Sequence, residues 1–190
     1  MSGFTFDLVR RISVRSAERR TTYLTLAGTA GPYGEVTVAV GTVPRRATLT
    51  APGLPEAWIS HPDERKQGLI LVDERTRLSV GGVTAAIARN RRSLSKKGRG
   101  LDIALGDRGY TYLSVATAEE ELRDRERGPL VRQRSPLGTS KVSVTVLPAA
   151  DAADLALALV LLGADRTGLT VTQTAVSGVL SFLQSGKADI

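Results

Sequence analysis

Apolar and polar residues alternate with a period near two along most of the chain up to Leu147. That period puts successive side chains on opposite faces of a strand. Phe4 to Val9 and Ile12 to Val14 carry it, and Thr21 to Leu26 and Val36 to Val40 carry it more strongly. Arg46 to Thr50 and Ala57 to Ser60 are shorter segments of the same kind, separated by Pro52-Gly53-Leu54-Pro55. Leu69 to Val72, Arg77 to Val80 and Val83 to Ala88 read as an antiparallel meander, turned at Asp73-Glu74-Arg75 and at Gly81-Gly82. Gly106-Asp107-Arg108-Gly109 is a hairpin signal between Leu101–Leu105 and Tyr110–Val115. Thr117, followed three residues later by Glu120, has the spacing of a capping box, so the Glu- and Arg-rich segment Thr117–Arg127 is expected to form a short exposed helix. Leu130 to Arg132 is a weak strand, and Lys141 to Leu147 is the clearest of all.

The pattern changes abruptly at Asp151. From Leu155 to Ala164 the chain is uncharged and consists of Leu, Ala and Val with one Gly. Ala and Leu favour helix, and Asp151 or Asp154 supplies an N-cap and a negative charge at the positive end of the helix dipole. A helix apolar on every face must be buried on every face. With roughly ten apolar residues it is half the length a bilayer span requires, so no transmembrane segment is expected here. About eleven or twelve short strands followed by one apolar helix predict a mainly β fold. The expected architecture is a closed antiparallel barrel or sandwich of about twelve strands around a buried helix over 151–164, with Leu155, Leu157, Leu159, Leu161 and Leu162 as its structural residues. One domain over 1–167 is expected, with a tail over 168–190 that reads as a strand followed by an amphipathic helix. Residues 169–184 of that tail are a candidate contact for a protein partner.

Asp151-Ala152-Ala153-Asp154-Leu155-Ala156-Leu157-Ala158-Leu159-Val160-Leu161-Leu162, after so many strands, resembles the acidic-then-apolar helix of the Tubby-like, phospholipid scramblase and LURP-one-related group. The resemblance implies a twelve-stranded barrel enclosing one hydrophobic helix. It also implies a non-enzymatic module that binds anionic lipid headgroups or membrane surfaces. Two features depart from the family pattern. Roughly 25 residues follow the helix, which in the family usually lies close to the chain end, and Trp58 is the only tryptophan.

Charge sharpens the functional expectation. The 190-residue chain carries 26 Lys and Arg against 19 Asp and Glu, a formal charge of +7, which favours acidic partners. The densest basic run is Arg89-Asn90-Arg91-Arg92-Ser93-Leu94-Ser95-Lys96-Lys97-Gly98-Arg99-Gly100. Arg89, Arg91, Arg92, Lys96, Lys97 and Arg99 are therefore the candidate anion-binding residues. Acidic phospholipid headgroups are the leading ligand. A nucleic-acid backbone is the alternative, although the run lacks interleaved aromatic stacking platforms. A third expectation is a structural subunit that assembles through its C-terminal tail. Arg10, Arg11, Arg15, Arg19, Arg20, Arg45, Arg46, Arg132 and Arg134 read as scattered surface charge.

Catalytic chemistry finds little support. With no cysteine and one histidine, thiolate nucleophiles and histidine-cluster metal sites are excluded. His61 lies in the turn Ser60-His61-Pro62-Asp63 and reads as a surface residue, and the carboxylates Asp63, Glu64, Asp73 and Glu74 read as solvated turn charges. No phosphate-loop or dinucleotide signature occurs. The expectation is a non-enzyme without cofactor or metal. The N-terminus shows no secretory signal pattern, so a cytoplasmic location, peripheral at the membrane, is expected.

Overall fold

The computed structural model describes residues 2–13, 21–63, 68–89 and 100–165. Twelve strands run in chain order: β1 (Phe4–Ile12), β2 (Thr22–Thr29), β3 (Glu35–Gly41), β4 (Arg46–Thr50), β5 (Ala57–Ser60), β6 (Arg77–Val80), β7 (Val83–Arg89), β8 (Gly100–Leu105), β9 (Arg108–Ala116), β10 (Glu119–Asp124), β11 (Gly128–Arg134) and β12 (Lys141–Val146). Each pairs antiparallel with its neighbours in sequence, and β1 pairs with β12 to close a barrel. An even strand number makes β1 and β12 run in opposite directions, so the closing pair is antiparallel like the rest. Its register runs from Phe4 opposite Val146 to Val9 opposite Lys141. Closure removes the sheet edges that would otherwise template aggregation.

A barrel of about eight strands is filled by its own side chains, and a larger one leaves a lumen. Here the lumen holds the helix α1 (Ala152–Leu161). Leu155, Leu157, Leu159 and Leu161 within it, and Leu162 at its C-terminus, are all buried. Each fully buried leucine contributes about 1.5–3 kcal/mol relative to an exposed one. Inward residues of the strands surround it, among them Leu8, Leu26, Val38, Leu49, Ile59, Leu78, Ile103 and Val144. α1 packs chiefly against β4, β5, β6 and β11. Two of these walls are lined by small residues, Ala47 on β4 and Ala57 on β5. The approach is closest at Gly163, where an added Cβ would lie 2.3 Å from the Cβ of Ala47. Only glycine fits that contact.

α1 is held at both ends and in the middle. At the lower rim, where β1 begins, Asp151 is the N-cap: its Oδ1 accepts from the Asp154 N–H at 3.0 Å, and Asp154 Oδ2 accepts from the Asp151 N–H at 2.9 Å. In mid-helix, the Tyr112 hydroxyl donates to Gln133 Oε1 at 2.8 Å, and Gln133 Nε2 donates to the Ala158 carbonyl at 2.7 Å. All three groups are buried, so each satisfies a polar atom that would otherwise be costly in the lumen. At the upper rim, the Ile70 N–H donates to the Gly163 carbonyl at 2.8 Å and the Asp165 N–H to the Ile70 carbonyl at 2.7 Å.

Several sequence expectations need correction. Thr117–Arg127 is not a helix: Thr117 and Ala118 form a tight turn, with Ala118 at φ 58°, and Glu119–Asp124 is β10. Pairing on both sides with β9 and β11 overrides the capping-box signal, since inward Leu122 is buried only in a strand register. Leu69–Val72 is not a meander strand. Ile70 makes an isolated parallel bridge to Ala164, and the connection between β5 and β6 folds over the upper mouth to seal the helix end. Phe4–Val9 and Ile12 belong to one strand, and the weak segment Leu130–Arg132 lies within the seven-residue β11. The expected tail over 168–190 and the candidate partner contact over 169–184 lie outside the described residues.

Candidate functional site

With α1 occupying the lumen, chemistry at this barrel must be built on its rims and outer wall. The lower rim is consumed by the helix cap. Asp154, fully buried, takes a two-pronged grip from Arg127, with Nη1 donating to Oδ2 at 2.7 Å and Nη2 to Oδ1 at 2.9 Å. It also accepts from the Tyr110 hydroxyl at 2.8 Å. Arg108 donates to Asp151 Oδ2 at 2.6 Å, and Arg127 also pairs with Asp124 at 3.2 Å. Burial pushes the Tyr110 phenol up to about 12. Both guanidiniums are raised: Arg108 by its bonds to Tyr110 and Asp151, Arg127 by its bond to Asp154. Burial works against the charges of Asp124 and Asp151. It is outweighed by the Arg127 and Glu126 N–H groups and the Arg127 side chain at Asp124, and by the Asp154 N–H and Arg108 at Asp151, so both carboxyls sit below their ordinary value. Here cations and anions neutralise one another, and the arrangement is an anchor for α1.

The connection between β5 and β6 contains the sole histidine. His61 is buried, contrary to the surface position its turn sequence suggests. The Asp63 N–H donates to Nδ1 at 3.0 Å, which leaves the proton on Nε2, and Nε2 faces both Asp73 oxygens at 3.1 Å. Burial opposes the Asp73 charge, yet the Arg75 N–H and His61 hold its carboxyl below the ordinary value. Both imidazole nitrogens are engaged, so neither is free to take a proton from a nucleophile. Arg45, expected at the surface, is buried beside this segment and donates through Nη1 to the Asp63 carbonyl at 3.1 Å and through Nη2 to the Leu69 carbonyl. These residues were hidden from the sequence because the groups that bury them lie 12 to 24 positions away. Among the described residues, no three His, Asp or Glu side chains gather as a metal site.

The upper rim differs. Ile12, Val43, Val115 and Leu137 all sit there with exposed side chains, Leu137 at 81 %. The exposed cations Arg11, Arg77, Arg134 and Lys141 stand at the same ends of their strands. The sector formed by β11, β12 and β1 is the densest: it combines Arg134, Leu137, Lys141, Val9, Arg11 and Ile12. Of the six candidate anion-binding residues, Arg89 ends β7 at this rim, half-buried, its Nε enclosed without a hydrogen-bond partner. Arg91, Arg92, Lys96, Lys97 and Arg99 lie outside the described residues, between Arg89 and Gly100, both of which stand at the upper rim. The sequence reading missed Arg134 and Lys141 as members of one surface. The available signal was their outward phase on two neighbouring strands.

On the outer wall, Arg46 stacks over Trp58, 4.2 Å from the ring centroid. Further round, on β10 and β11, Glu121 is enclosed by two arginines. Among the described residues, no helix is long and apolar enough to cross a membrane. No protein-family model matches the chain, and neither the curated proteins nor the solved structures contain a match to it.

Proposed function

We propose that this chain is a non-enzymatic docking module that seats its upper rim on an anionic surface, with acidic phospholipid headgroups as the ligand. The observation that carries the proposal is the meeting of exposed apolar and basic side chains at one rim. Ile12, Val43, Val115 and Leu137 offer apolar contacts of a size that enters a headgroup layer, and Arg11, Arg77, Arg134 and Lys141 offer charge to its phosphates. Each basic residue near an anionic membrane contributes about 1 kcal/mol, screened within a Debye length. The basic run from Arg89 to Arg99 joins β7 to β8 between strand ends at this same rim, which adds to its attraction. The lower rim lacks the combination, since Arg108 and Arg127 are bound by Asp124, Asp151 and Asp154. The barrel around one helix also supports membership of the Tubby-like, scramblase and LURP-one-related group, which we include in the proposal. The proposed setting is cytoplasmic, peripheral at the membrane.

Co-sedimentation with vesicles tests the reading. The protein is expected to pellet with phosphatidylcholine vesicles containing phosphatidylserine, and to stay in the supernatant with phosphatidylcholine alone. Combining Arg134→Glu, Lys141→Glu and Leu137→Ser is expected to weaken pelleting by about tenfold or more, each charge reversal removing over 1 kcal/mol. Equal pelleting with both vesicles, or none with either, overturns the proposal.

A further inference from the structure

Glu121 points outward from β10, yet its exposure is 1 %. Its neighbour across β9, Leu113, is buried as well. A carboxylate on the outside of a barrel is normally solvated, so its burial is built by what surrounds it. Arg123, two residues on and on the same face, donates Nε and Nη2 to Glu121 Oε1 at 3.1 and 2.9 Å. Arg132, directly opposite on β11, donates Nε to Oε2 at 2.8 Å. The carboxylate is thereby spent on three N–H groups. The guanidiniums are not spent: among the described residues, Arg123 Nη1 and both Nη atoms of Arg132 make no hydrogen bond. Their side chains are 51 % and 48 % exposed.

We infer that Arg123 and Arg132, locked by Glu121, form an oxyanion-binding fork for a phosphate group on the outer wall of β10 and β11. Two guanidiniums against one carboxylate leave a net positive charge at the site. Their planar donors match the spacing of phosphate oxygens. An arginine side chain carries about 2 kcal/mol of rotamer entropy, and the Glu121 bonds have already withdrawn much of it, so an arriving anion orders little. The wall beside the fork suits an oxyanion too. Thr145 stands across β12 from Arg132 with its hydroxyl 3.1 Å from that of Thr5, and Arg134 lies one outward position along β11. This site is separate from the upper rim and does not depend on the membrane reading.

The test follows the arginine Nε–H resonances of the full chain in nitrogen–proton correlation spectra during titration with inorganic phosphate, against sodium chloride of equal ionic strength. Saturable shifts at Arg123 and Arg132 with phosphate alone are the expected result. Arg123→Lys with Arg132→Lys keeps the charge and removes the fork, and is expected to weaken phosphate binding about tenfold or more while a thermal melt confirms folding. If the double variant does not fold, Arg132→Lys alone carries the comparison. A parallel arm with vesicles containing phosphatidic acid separates a lipid phosphate from a free one, and saturable shifts in either arm support the site. No saturable shift in either arm, or equal affinity in the lysine variant, overturns it.

Discussion

At the scale of single residues, the interior of this barrel is held together by polar groups that find each other across long stretches of chain. Tyr110 is 44 positions from Asp154, and Gln133 is 25 positions from the Ala158 carbonyl it caps. Tyr110 makes the alkaline side of the stability profile informative. Its folded value, about 12, lies above the ordinary 10.0, so the neutral phenol is favoured in the folded state. The stability this contributes is fully present below pH 10 and is lost as pH rises through 12. Tyr110→Phe is expected to cost about 1–3 kcal/mol at neutral pH and to flatten the loss of thermal midpoint between pH 10 and 12. An unchanged slope in the variant would assign the alkaline transition to other groups. The acid side has the opposite sign: Asp124 and Asp151 lie below 3.8 when folded, so their contribution is present above that value and disappears as pH falls through their folded values. Such residues were poorly legible in the sequence. Asp151 was readable as a cap from its local neighbours, whereas His61 and Arg45 were misassigned to the surface because their hydrogen-bond partners are not local.

At the scale of elements, legibility followed periodicity. Strands with inward Val, Leu or Ile every second residue, such as β3 and β12, announced themselves, because burial of one face is what creates the alternation. β10 did not, since its inward set is Glu120, Leu122 and Asp124, and its polar composition imitates a solvated helix. The helix α1 was legible for a different reason, its complete lack of a polar face. Its place in the lumen has a direct consequence. Leu157→Asp would bury an unpaired carboxylate at a cost of several kcal/mol, comparable with the whole stability of a domain. The variant is expected to lose its cooperative thermal transition, whereas Leu157→Met is expected to cost under about 1.5 kcal/mol. A folded Leu157→Asp protein, with a transition like that of the parent, would show that α1 does not fill the barrel.

At the scale of the whole molecule, the count of strands and the presence of one wholly apolar helix explain each other. Twelve strands enclose more space than their own side chains fill, and a helix without a polar face needs an enclosure of about 10 Å. The architecture was therefore readable from the chain before any contact was known. The working surface was readable only in part. Arg89 through Arg99 stood out as a run in sequence, but Arg11, Arg134, Lys141, Ile12 and Leu137 become one surface only when β1 closes on β12. The same closure assigns opposite ends of the barrel to opposite tasks, the lower rim anchoring α1 and the upper rim free to meet a ligand. Amide hydrogen exchange of the full chain, with and without vesicles containing phosphatidylserine, tests that division most directly. The account predicts added protection at the upper rim around Ile12, Val115 and Leu137, and no change in the lower turns at Gly81–Gly82 and Asp107. Protection centred on the lower turns, or spread evenly over both rims, would contradict it.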